Sequence, residues 1–105
     1  MQTIEYRTQV VSSFVDQDTA NNFVVRRLSD RKSHNRQLFI VTINSDANEG
    51  EVIPFAEIAT SSSNKLRYIV KPSDQYPSLA VSRLTNKIEA VISKYMKDQW
   101  NEYIH

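Results

Sequence analysis

Polar and apolar residues alternate through 3–14. Ile4, Tyr6, Thr8, Val10, Ser12 and Phe14 fall on one side, with Glu5, Arg7, Gln9 and Ser13 on the other. A period of two is that of a strand with one buried and one wetted face. The pattern changes after Asp16-Gln17-Asp18-Thr19. Asp18 or Thr19 is a suitable N-cap, and Ala20, Phe23, Val24 and Leu28 then recur at helical steps, which predicts a helix over 18–30. Taken as a strand, the same stretch sets Arg26 between Val24 and Leu28 on one face and Arg27 beside Val25 on the other, so neither face is cleanly apolar. Two valines and two asparagines weigh against the helix, because β-branched and short polar side chains are weak helix formers.

The stretch 37–44 is the most strand-like in the chain. Phe39, Val41 and Ile43 point one way and Leu38 and Ile40 the other, and apolar residues on both faces predict a central position. A turn follows over 45–50, then a strand over 51–60. Pro54 has no amide proton for a ladder, which places that strand at an edge or gives it a bulge. Three serines and Asn64 make a second turn before the strand 65–71, where Leu66, Tyr68 and Val70 alternate with Lys65, Arg67, Ile69 and Lys71. From Ser78 onward Leu79, Leu84, Ile88, Val91, Ile92 and Tyr95 recur at helical spacing and predict a long helix over 78–103. The expected fold is therefore α+β: a two-layer sandwich in β-α-β-β-β-α order, with a mainly antiparallel sheet and a long C-terminal helix, folding as one domain over 1–105.

Composition narrows the chemistry. The chain has one glycine, Gly50, among 105 residues, where average usage of about 7% would supply about seven. Phosphate cradles of the glycine-rich type therefore cannot be built here. There is no cysteine, so thiolate chemistry is excluded as well. Two histidines, His34 and His105, and no cysteine are a thin supply of ligands, so neither a metal nor another cofactor is expected. Acidic pairs such as Asp16 with Asp18 and Glu49 with Glu51 lie in turns, where capping and solvation account for them. The expected function is non-catalytic. With no apolar run long enough to span a bilayer and no basic leader followed by an apolar segment, the chain reads as cytoplasmic.

Two surfaces remain as candidates. The predicted C-terminal helix would extend about 39 Å, against about 27 Å for a strand of eight residues. Its apolar stripe runs on through Met96, Trp100, Tyr103 and Ile104, residue types that favour interface cores and binding hot spots. This predicts a protein–protein interaction module, an adaptor, regulator or assembly subunit, joined through the end of that helix to a protein partner or to itself as a homodimer. The second surface is basic. Thirteen Lys and Arg nearly cancel twelve Asp and Glu, for a net charge of +1, yet Arg26, Arg27, Arg31, Lys32 and Arg36 crowd into 26–36 with only Asp30 against them. That segment suits a nucleic acid or other polyanion, the less favoured partner because no recognised nucleic-acid-reading motif accompanies it.

Overall fold

The computed structural model describes residues 8–28, 37–45, 51–60, 65–73 and 76–104, the side chains of Ser45, Glu51 and 100–104 excepted. Among the described residues there are five strands and one helix: β1 (Thr8–Asp16), β2 (Asn21–Leu28), β3 (Gln37–Ser45), β4 (Glu51–Thr60), β5 (Leu66–Val70) and α1 (Ser78–Ile104). The fold is α+β, and the strands lie in one antiparallel sheet in sequence order, β1-β2-β3-β4-β5. The order is thus β-β-β-β-β-α rather than β-α-β-β-β-α.

The helix expected over 18–30 is replaced by a hairpin and β2. Asp16 opens the turn: its carbonyl accepts the Ala20 amide at 2.7 Å, and its Oδ2 accepts the Thr19 hydroxyl at 2.7 Å. This closes a single helical turn that goes no further, because Ala20 takes a φ of 57° and turns the chain into β2. Short polar residues that cap helices also make turns, so the same sequence serves both ends. The two arginines that argued against a strand have separate solutions. Arg26 donates from NH1 to Thr42 Oγ1 on β3 at 2.8 Å, while Arg27 on the opposite face donates from NH2 to Gln9 Oε1 on β1 at 3.5 Å.

One face of the sheet carries its core. Phe14 and Phe23 stand opposite each other across β1 and β2, their rings stacked at 5.4 Å. Phe23 meets Phe55 edge-on at 5.2 Å, and Val25, Phe39, Val41, Ile43 and Ile58 on the same face are all buried. Phe55 is the extra residue of a bulge, since Ala56 pairs with Val41 while Pro54 already pairs with Thr42. The proline thus sits at a bulge, as its missing amide proton required, and β5 pairs with β4 only from Glu57 onward. At the other end of β4, Thr60 Oγ1 accepts from the Gln37 amide at 3.1 Å.

Two further bulges alter the expected faces. Val10 pairs with Arg26 and Ser12 with Val25, so Val11 is extra and Val10 lies opposite to Phe14 rather than beside it. Val70 pairs with Glu57 and Tyr68 with Ile58, so Ile69 is extra and Val70 departs from the side of Leu66 and Tyr68. Residues 3–7 of the predicted first strand lie outside the described residues.

Residues 1–71 and 72–105 form separate compact units. In the second, α1 has 27 residues and extends about 40 Å. Leu84, Ile88 and Ile92 are buried, and Val91 and Tyr95 are half-buried, as the periodicity required. Leu79 is 85% exposed, against the expected stripe. Five residues before Leu84, at about 100° per residue, it lies about 140° around the helix. Thr85 turns its hydroxyl back to the Val81 carbonyl at 2.8 Å, and Gln99 Nε2 donates to the Tyr95 hydroxyl one turn earlier at 3.0 Å.

A left-handed alanine costs about 1–2 kcal/mol that glycine avoids, partly offset by the freedom glycine adds to the unfolded chain. Ala20→Gly is therefore expected to stabilise the protein by about 0.5–1 kcal/mol, seen as a higher urea midpoint at unchanged slope. Phe23→Ala, which empties the centre of the aromatic cluster, is expected to cost about 3–5 kcal/mol in the same measurement.

Candidate interaction surface

The sheet's second face is where sequence and structure together leave an unexplained surface. By register, Val10 on β1, Arg26 on β2, Ile40 on β3, Glu57 on β4 and Val70 on β5 form one row straight across all five strands. Toward one end of the strands lie Ser13, Val24, Thr42 and Pro54, followed by Val15, Asn22, Asn44 and Val52. Toward the other lie Leu28, Leu38, Ala59 and Arg67.

This face mixes apolar with polar residues and is partly exposed. Val10, Val15, Val52 and Val70 are between 43% and 59% exposed, and the bulged Ile69 is exposed at its margin. Leu28, Leu38, Ile40 and Ala59 are half-buried, whereas Val24 and Thr42 are nearly closed off. Scattered apolar residues on a surface are ordinary, but a contiguous set across a sheet marks an interaction site. Polar residues are interspersed with them: Thr8, Ser13, Asn22, Asn44 and Arg67, besides Arg26, Thr42 and Glu57. Arg26 is anchored by Thr42, which directs a guanidinium along the face, and Glu57 lies two strands away, about 10 Å at the usual strand spacing.

Of the sequence-predicted residues, Arg26 lies on this face. Met96 is half-buried in α1. Trp100, Tyr103 and Ile104 continue the helix, but their side chains lie outside the described residues, so the proposed stripe is described only at its start. Successive steps of four from Leu84 turn about 40° each around a helix of 3.6 residues per turn, so Met96 sits well round from Leu84. Of the basic segment, Arg26 and Arg27 point to opposite faces of the sheet, and Arg31, Lys32 and Arg36 lie outside the described residues. The described pair therefore does not form one cationic patch.

The open sheet face was missed by pattern reading, although one signal for it was present. Leu38 and Ile40 make the second side of β3 apolar, and an apolar side on a central strand needs cover. Val10 and Val70 were hidden by the bulges at Val11 and Ile69, which turn them onto this side.

Among the described residues, no group of three or more His, Cys, Asp or Glu side chains could hold a metal ion. No helix among them is long and apolar enough to cross a membrane. No protein-family model, curated protein or solved structure matches the chain.

The Arg26–Thr42 bond is a charge-assisted contact, worth about 1.5–3 kcal/mol in other proteins. A double-mutant cycle of Arg26→Met and Thr42→Val, read by urea unfolding, is expected to give a coupling energy of about 1 kcal/mol or more.

Proposed function

We propose that this chain is a non-catalytic protein–protein interaction module, serving as an adaptor, regulator or assembly subunit, and that it engages its partner through the second face of the sheet. One observation carries the reading: exposed valines lie on β1, β4 and β5 of that face, with the half-buried Leu28, Leu38 and Ile40 on the strands between. A stable interface takes about 800 Å² from each partner, with an apolar centre and a polar rim. The face spans about 20 Å across the strands and about 27 Å along them, the right order for such a footprint. Composition supports a non-catalytic role, because the chain has no cysteine and only two histidines with which to build acid–base or nucleophilic chemistry.

A photoreactive phenylalanine analogue in place of Val52 tests the reading in an extract of the native host. Irradiation is expected to give a discrete protein adduct, absent when the same analogue replaces Ser93, which is exposed on α1. An equal or null yield from the two positions would remove the sheet face as an interaction surface.

A further inference from the structure

We propose that the occupant of this face is a second copy of the same chain, packed face to face about a two-fold axis that runs along β3. This rests on reading the face as an interaction surface and goes beyond it by naming the partner and the pairing. The argument is the symmetry of the central row, Val10–Arg26–Ile40–Glu57–Val70. Its middle member lies on the middle strand, a cation and an anion flank it, and a valine stands at each end.

A two-fold axis parallel to β3, in the plane between two such faces, carries β2 of one copy over β4 of the other and β1 over β5. Ile40 then meets Ile40 of the other copy. Each Arg26 meets a Glu57, twice by symmetry, and each Val10 meets a Val70. An axis across the strands would instead set Arg26 over Arg26 and Glu57 over Glu57. The charge pattern therefore selects one of the two in-plane arrangements, and selects it for a copy of this chain rather than for an arbitrary apolar partner.

Sheet packing allows the arrangement. Two sheets stack about 10 Å apart with their strands aligned to within about 30°, and an axis along the central strand produces that alignment. The ionic groups also suit burial. Arg26 is already held by Thr42 Oγ1, so part of the entropic cost of fixing its side chain is met within one copy. Arg26 and Glu57 are both half-buried before any association, which lessens the further loss of hydration when they pair.

Charge reversal tests the pairing. Light scattering and sedimentation are expected to show a concentration-dependent dimer for the wild type. Arg26→Glu and Glu57→Arg each set like charges against one another, and each is expected to weaken the dimer by at least about 100-fold. Mixing the two variants restores both pairs, since the Arg26→Glu chain is acidic at both positions of the row and the Glu57→Arg chain is basic at both. A one-to-one heterodimer is then expected. A chain that had merely lost its fold would give no such rescue.

A wild type that stays monomeric to millimolar concentration overturns the inference, as does a dimer indifferent to both reversals or a mixture that fails to pair. The adduct from position 52 separates this outcome from failure of the broader reading. A monomer whose face crosslinks to a different protein leaves the interaction module standing and removes only the second copy. A monomer whose face captures nothing removes both.

Discussion

The Phe23 ring, stacked on Phe14 and met edge-on by Phe55, fixes which side of the sheet every other residue occupies. Because side chains alternate, a slip of one residue in β2 would carry Phe23 to the opposite face and exchange Arg26 for Arg27. The aromatic cluster resists that slip from two strands at once. Phe14 stands directly across the β1–β2 ladder, and Phe55 reaches Phe23 from the far side of β3. With this face committed to Phe23, Val25, Phe39 and Val41, the opposite face receives Val24, Arg26 and Ile40 without further choice.

The bulges then decide which residues of the flanking strands join that second face. Val10 and Phe14 are an even number apart and would share a face in a regular strand. The extra residue at Val11 separates them and sends Val10 to the side of Arg26. Ile69 does the same for Val70 relative to Tyr68, and Phe55 lets a phenylalanine enter the core while Pro54 stays outward. A bulge is usually regarded as a local correction of twist. Here two of them choose which apolar residue ends the row through Ile40, since in unbroken ladders Val11 would stand opposite Arg26 and Ile69 opposite Glu57.

This also explains how much of the protein was legible in the chain. The strand 51–60 and the start of the helix at Ser78 follow from apolar spacing alone, and the central place of β3 follows from Leu38 and Ile40 opposing Phe39, Val41 and Ile43. Spacing failed at β2 because neither regular pattern fits Asn21–Leu28 cleanly: its strand faces each contain an arginine, and those arginines are accommodated by Thr42 and Gln9, partners distant in sequence. It failed again at the hairpin before β2, where an alanine holds a positive φ in a chain with only Gly50 for a glycine. No local rule for glycine-marked turns finds such a site. The second face required all four registers together, and two of its valines are placed by bulges that a period of two cannot express.

Edge pairing is the other route by which a sheet associates, and it is the route this sheet is built against. β5 is five residues long, is flanked by Lys65 and Lys71, carries Arg67 within it, and bulges at Ile69. β1, at the opposite edge, bulges at Val11. Short length, basic side chains and bulges are the features that keep exposed ladders from recruiting another strand. The same bulge residues that spoil the edges turn Val10 and Val70 onto the open face. Edge and face are thus shaped by the same two residues: the bulges interrupt the ladder at each edge and still leave a valine at each end of the central row.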